Sequence, residues 1–334
     1  MNSKSIRQKE IAEKTGFSIN TVSLALKGSP RISEETRSII MECAKQLNYI
    51  PNVVARSLVQ KKTNTIGIIL TELMNPILTE TAQEIEQILK KSGYNMMLMI
   101  TNSSPEQEAE ALDVLVSRQV DGILMYPVFT ANFAKIKLLR DNKFPIILLA
   151  GGDYELPTDA VYVNRREGAY KAATHFIQAG HKRIGFLGGG NYSDKEKQNG
   201  YFAALQDNHI PFDPSLVGRV QSDGYDAGYA SIEELYKNAM PTAVICTRDY
   251  IALGAMRWCR ERGIRIPEEL SFIGFDDTAA ASFAEIPLTS VKYDVKAVTE
   301  KATELLFQRI DEKDKSVAMI QKISIQPRLV IRQS

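Results

Sequence analysis

The sequence predicts an all-α head of about fifty residues in front of an α/β body built on doubly wound parallel sheets. Three observations predict this. The chain has 334 residues, and domains of roughly 100–200 residues imply two of them plus a small appendage. Charge is uneven: residues 1–62 carry eleven Lys or Arg against five Glu and no Asp, whereas the other 272 carry 30 basic and 35 acidic side chains. From Thr65 onward, apolar strand-like runs alternate with amphipathic helical stretches, and the theme then repeats.

Composition removes several function classes. Apolar residues are 44% and charged residues 24%, close to globular averages, so wholesale disorder is excluded. The three cysteines (Cys43, Cys246, Cys259) are widely spaced without a CxxC, which argues against a disulfide framework or a zinc finger. His175, His181 and His209 have no metal spacing, and His181 is expected to open a strand. No apolar run approaches the ~20 residues of a bilayer span. The first ten residues are polar, without a signal-peptide core. A soluble, cytoplasmic chain with no membrane partner is expected. Gly188–Gly190 lacks the GxxxxGK[ST] spacing of a phosphate loop, and neither GxSxG nor HExxH occurs. No enzyme activity and no cofactor are therefore expected.

In the head, Ser5-Ile6-Arg7-Gln8 has the capping-box pattern and opens a first helix carrying Ile11 and Ala12. Gly16 suits the left-handed residue that ends it. Ser18 caps a second helix, Ile19 to Leu26, which Lys27-Gly28-Ser29-Pro30 stops. Ser33 caps a third, Glu34 to Leu47, with Glu34 and Glu35 set favourably against the helix dipole. Ile39, Ile40, Ala44 and Leu47 are expected to cover the other two. Two short helices joined by a Gly-containing turn form a helix-turn-helix, whose second helix enters the major groove of duplex DNA.

Asn20 is the sharpest base reader, because its amide can bond both N6 and N7 of adenine. Ile19 and Leu24 can touch thymine methyls. Arg7, Ser18, Thr21 and Lys27 are candidates for phosphate contacts, which position without specifying. Val22, Ala25 and Leu26 are expected to face the core.

A longer motif follows. Ile11-Ala12, Gly16-Phe17-Ser18, Thr21-Val22-Ser23, Ser33, Thr36-Arg37, Tyr49-Ile50-Pro51-Asn52 and Ala55-Arg56-Ser57-Leu58 closely resemble the lactose/galactose-repressor family of bacterial transcription regulators. The resemblance implies a hinge helix over Asn52–Val59 that forms on operator DNA. It adds Asn52, Ala55 and Leu58 to the DNA contacts, with Leu58 as a wedge pushed into the minor groove. Many members carry an arginine where this chain has Leu24, so a guanine contact is absent there. The implied domains are a DNA-binding head (1–50), a hinge and linker (51–63) and an effector-binding and dimerisation body (64–334).

The body reads as strands at Ile66–Leu70, Asn95–Ile100, Gly122–Met125 and Pro145–Leu149. Helices are expected over Thr79–Lys91 and from Pro105, behind a Ser104 capping box. The second half offers strands at Ile184–Leu187, Val217–Gln221, Ala243–Cys246 and Leu270–Phe275, with helices over Lys197–Asn208 and Asp226–Lys237. A tail adds a helix (Val298–Ile310) and strand-like runs at Met319–Ile325 and Leu329–Ile331. This resembles the two-lobed periplasmic-binding-protein architecture that the family uses for its effector domain. One lobe would hold residues 64–162 and 291–323, and the other 163–290 and 324–334.

Ligands sit outside the carboxyl ends of the strands in such sheets, which here means the cleft between lobes. The loops after the strands and the family's matching positions together give Glu72, Asn75, Tyr126, Arg165, Lys197, Tyr225, Arg248 and Asp276 as effector-binding candidates. The resemblance makes Asp276 a ligand holder and Tyr225 an aromatic that stacks on the ligand. Lys197, Arg248 and Arg165 depart from the common pattern of neutral-sugar sites. They suit an acidic or phosphorylated sugar; if they pair with Asp249, Asp276 or Glu72, a neutral sugar fits as well. The expected protein is a repressor of a carbohydrate-utilisation operon. It would bind a near-palindromic operator as a homodimer, with tetramers possible by pairing of dimers.

Overall fold

In the computed structural model the described residues are 6–49, 62–128, 130–151, 155–190, 192–221, 224–312 and 319–334. The chain divides into two compact units, Met1–Thr63 and Asn64–Ser334.

The head holds three helices: α1 (Gln8–Thr15), α2 (Ile19–Leu26) and α3 (Glu34–Gln46). Arg7 occupies the N-cap of α1, and its amide donates to the Glu10 carboxylate at 3.4 Å. The first helix thus starts later than the Ser5 pattern implies, and Ser5 lies outside the described residues. Gly16 ends α1 at φ 78°, a conformation a Cβ would penalise. Ser18 and Ser33 cap the next two helices, accepting the amides of Thr21 and Thr36. Ile11, Val22, Ala25, Ile40, Cys43 and Ala44 form the core, with Leu26 and Leu47 packed against it. Ile39 does not join them and is 46% exposed. It lies about 100° round the helix from Ile40, and Cys43 takes the inward place three residues on.

The body has two six-stranded sheets. The first, in the order β11-β5-β4-β3-β1-β2, comprises β1 (Thr65–Leu70), β2 (Asn95–Ile100), β3 (Gly122–Met125), β4 (Ile146–Leu148), β5 (Asp159–Val163) and β11 (Lys322–Ile325), all parallel. The second, in the order β12-β10-β9-β8-β6-β7, comprises β6 (Ile184–Gly188), β7 (Val217–Arg219), β8 (Ala243–Cys246), β9 (Ser271–Asp276), β10 (Thr289–Lys292) and β12 (Arg328–Val330). Its last strand runs antiparallel to β10, a departure from the all-parallel expectation. A two-residue connection from β11 explains why it enters a different sheet rather than a crossover.

Helices cover both faces. The first lobe carries α4 (Pro76–Lys91), α5 (Pro105–Ser117), α6 (Phe133–Asp141) and α12 (Val295–Asp311). The second carries α7 (Arg165–Gln178), α8 (Tyr192–Asp207), α9 (Tyr225–Ala239), α10 (Asp249–Glu261) and the short α11 (Ala279–Phe283). Strand β1 is buried on both faces, which is why it reads as a continuous apolar run. Ile66, Ile68 and Leu70 face one core and Ile69 faces the other.

The chain passes between sheets three times: after Val163, after Lys292 and after Ile325. The last two crossings fall slightly later than the boundaries at 290/291 and 323/324. Strand pairing sets them, since Val291 pairs with Phe275 and Ser324 with Tyr162. His181 precedes β6 and hydrogen-bonds Thr242 Oγ1 at 2.9 Å instead of opening the strand. All three cysteines are buried and unbridged. No described helix is long and apolar enough to cross a membrane.

Candidate functional site

The head builds its surface from the second helix. Ser18 fixes the start of α2, and its hydroxyl also lies 2.8 Å from Thr21 Oγ1. Val22 and Ala25 point into the core, so the opposite face is left to solvent. Asn20, Leu24 and Lys27 recur at helical spacing on that opposite face. Asn20 and Lys27 are exposed and Leu24 is half-buried. Ile19 is 51% exposed at the first turn, an unusual exposure for an isoleucine that buried packing does not explain. Arg7 and Ser18 are exposed and Thr21 is half-buried. Asn52, Ala55 and Leu58 lie outside the described residues.

The body holds a cavity of about 410 Å³ between the carboxyl ends of the two sheets. Seven of the eight effector candidates line it: Glu72, Asn75, Tyr126, Arg165, Lys197, Arg248 and Asp276. Tyr225 does not. It is the first residue of α9, 54% exposed, with its ring 6.2 Å from that of Tyr250. The first lobe supplies a largely apolar wall that includes Ile77, Leu78, Phe133 and Leu156. The second lobe supplies the charged wall.

That charged wall is internally paired. Arg248 Nη1 donates to Asp194 Oδ1 at 3.0 Å and to the Thr247 carbonyl at 2.8 Å. Asp194 Oδ2 also accepts the Gly189 amide at 2.8 Å, tying the glycine turn to the site. Arg165 lies 3.6 Å from Glu196 Oε2 and over the ring of Tyr293. The carboxylates that offset these cations are therefore Asp194 and Glu196, not Asp249, Asp276 or Glu72. Both were hidden in a stretch that reads as loop. In fact α8 begins at Tyr192, five residues before the expected start at Lys197, and its first turns turn Asp194 and Lys197 the same way.

Lys197 is 2% exposed and donates to the Thr247 carbonyl at 2.5 Å. Burial, reinforced by the charge of Arg248, pushes its ammonium down to about 7. Opposite, the phenol oxygens of Tyr126 and Tyr293 are 3.0 Å apart, joining the first lobe to the second crossing segment. Asn75 caps α4 by accepting the Ile77 amide, so one residue both starts a helix and faces the cavity.

Asp276 ends β9 at φ 107° and Asp277 follows at φ 58°. Non-glycine residues held there store roughly 1–3 kcal/mol each, and the surrounding bonds must impose the shape. Asp249 does much of this: it accepts from the Thr278 amide (2.7 Å), the Thr278 hydroxyl (2.9 Å) and the Ser290 hydroxyl (2.6 Å). Burial, with the charge of Asp276 second, raises the Asp249 carboxyl. Arg332 closes the corner through Asp277 Oδ1. On the first lobe, the buried Glu108 carboxylate accepts the Val128 amide and the Asn132 side chain, holding the loop after β3 against the cavity. Burial raises the Glu108 carboxyl. Among the described residues no cluster of His, Cys, Asp or Glu could hold a metal ion.

A family profile described as "Bacterial regulatory proteins, lacI family" matches residues 8–52, and one described as "Periplasmic binding protein-like domain" matches residues 173–334. The chain is 32% identical over 330 residues to the HTH-type transcriptional repressor PurR of Haemophilus influenzae (strain PittEE), covering 98% of this chain and 97% of that one. This chain belongs to the LacI family. Like the other members, it is a DNA-binding transcriptional regulator.

Solved LacI-family structures agree. The lac repressor dimer bound to operator and the anti-inducer ONPF superposes with a TM-score of 0.88 at 25% identity, over 99% of each chain. A complex of the transcriptional regulator CelR with cellobiose gives 0.72 at 25% identity, over 98% of this chain and 99% of that one. A sugar-binding LacI-family regulator from Escherichia coli, complexed with phosphate, gives 0.71 at 26%, over 82% and 98%. Cavity residues that sequence reasoning missed in this LacI-family chain include Phe133, Leu156 and Tyr293. Tyr293 sits on a crossing segment, and only the pairing of β10 with β9 brings it to the cavity.

Proposed function

We propose that this chain represses transcription as a homodimer on a near-palindromic operator, and that a sugar-class effector in the interlobe cleft releases it. The observation that carries the DNA half is the solvent-facing row Ile19, Asn20, Leu24 and Lys27 on a capped second helix. The cleft half rests on the cavity crossed by three chain segments. Closure about those segments changes the lobe angle when the cavity fills. The effector shifts DNA affinity by the difference between its affinities for the two shapes.

Dimerisation runs through the body in this reading, because each head is too small to hold a pair alone. The genes regulated belong to carbohydrate utilisation. One solved relative is described in complex with cellobiose and another as sugar-binding, which supports that class. Tetramers would arise by pairing of dimers. Leu58 is the wedge at the operator centre, and Leu58→Ala should reduce DNA bending in a permuted-fragment gel while sedimentation still shows a dimer.

The internal pairing of the second-lobe wall favours a neutral polyhydroxylated effector over a phosphorylated one. Arg248 and Arg165 already face Asp194 and Glu196, while Asp276 and Glu72 add acceptors for hydroxyls. A second anion would meet those carboxylates in a low-dielectric site. Calorimetric titration with matched neutral and phosphorylated sugars tests the choice; tight binding of the phosphorylated member alone would reverse it. The DNA half is tested by selecting bound fragments from genomic DNA at low ionic strength, with and without candidate sugars. Equal retention of every fragment would refute it.

A further inference from the structure

We propose that Lys197 is a nucleophilic amine that condenses reversibly with a small carbonyl compound admitted to the cleft, so that the cavity holds an aldehyde or ketone as an imine. The inference rests on reading the cleft as the ligand site. The side chain lines the 410 Å³ cavity while itself being 2% exposed, so the cavity is its route to solvent. Phe275 walls it on one side, with the amine 4.5 Å from the ring centre. Among the described residues its one side-chain hydrogen bond, to the Thr247 carbonyl, uses one N–H and leaves the lone pair of a neutral amine for attack.

Burial, more than the charges around it, lowers its ammonium. No carboxylate among the described residues stands within ion-pair distance of Lys197, whereas the other two cations of the wall each have one. The charged groups acting on it are Arg248, Asp276, Asp194 and Arg165, and burial outweighs all of them, so that the ammonium titrates near 7. A desolvated lysine beside other cations is a known way to make an amine nucleophilic. About half of such a side chain is neutral at pH 7, against about one part in a few thousand for an exposed lysine.

The chemistry balances without a further reactant. The Nζ lone pair forms a C–N bond to the carbonyl carbon as the C=O π pair moves to oxygen. One Nζ proton passes to that oxygen through solvent water, giving a carbinolamine. Loss of water then yields the imine, and hydrolysis reverses each step. An open-chain aldose meets both the polyhydroxyl and the carbonyl requirement.

The test uses the full chain with D-glyceraldehyde and, separately, glyoxylate, each with cyanoborohydride at pH 7, followed by peptide mass mapping. Lys197, whose ammonium is lowered to about 7, should be alkylated at least about tenfold faster than the exposed Lys195 two residues away. Its rate should level off above pH 7. Labelling of Lys197 no faster than Lys195 by either aldehyde would overturn the inference. Labelling by glyoxylate alone would support it and add a carboxylate to the ligand class. The effect of the label on DNA affinity is a separate readout. If Lys197 is labelled and DNA affinity does not change, imine formation stands and the cleft as an effector switch fails.

Discussion

At the scale of single residues, two side chains carry sharp consequences. Asn20 stands exposed in the first turn of α2, where a side-chain amide can make two bonds to adenine. Asn20→Ala should cost about 1–3 kcal/mol against the preferred base at one position of each half-site and relax preference there. A binding profile across operator variants that matches wild type would remove that role. Lys197 gives a pH signature in the folded state alone. Its ammonium is lowered from the usual 10.5 to about 7, so between those values the unfolded chain binds a proton that the folded chain has lost. Stability from this group therefore rises as pH climbs from 7 towards 10.5, and the full cost of the buried charge is felt below 7. Lys197→Met should flatten that rise. The check is the urea midpoint of wild type minus variant, followed from pH 6 to 10.

At the scale of elements, helix contacts in the second lobe depend on missing side chains. A Cβ on Gly254 would strike the Tyr225 carbonyl, and one on Gly228 would strike the Ile251 carbonyl, so α9 and α10 touch backbone to backbone. The same happens between α7 and α8, where a Cβ on Gly200 would meet the Arg166 carbonyl. Gly254→Ala should push α9 and α10 apart and cost about 1–3 kcal/mol, the usual range for an overpacked core. Because Arg248 and Asp249 open α10, the substitution should also disturb the cavity wall. Thermal unfolding gives the first effect and effector titration the second. Gly254→Ala with an unchanged melting temperature would show that the helices can separate at no cost.

At the scale of the whole molecule, the head and the body divide the labour by charge. Residues 1–62 hold six more basic than acidic side chains, and the rest hold five more acidic than basic ones. A head of that sign releases counterions from DNA, so log affinity should fall linearly with log salt concentration, with a slope of about −0.9 per phosphate neutralised. Lys27→Ala should reduce that slope by about 1 in a filter or fluorescence titration, leaving base preference alone. Effector affinity should be much less sensitive to salt, since the Arg165–Glu196 and Arg248–Asp194 pairs of the cavity wall are largely buried, and buried pairs are weakly screened.

Much of the fold could be read from the residues because it is locally determined. Ser18, Ser33 and Ser104 cap helices where the pattern places them, and Asn95–Ile100 and Gly122–Met125 are strands to the residue. Capping, apolar period and glycine stops act over a few residues, so sequence alone determined a three-helix basic head and an alternating α/β body. It also pointed to most of the loops that meet the cleft, Tyr225 excepted, since strand ends define it. Pairing between distant segments was not readable. Strand β5, the antiparallel β12 and the two-residue shift of the crossings after Lys292 and Ile325 follow from which strand finds which neighbour. The same holds for charge: only the folded chain sets Asp194 against Arg248, 54 residues away, and Glu196 against Arg165. Local sequence encodes backbone preference over one or two turns. The charge state of a buried side chain depends on every element packed around it, and tertiary structure alone decides that.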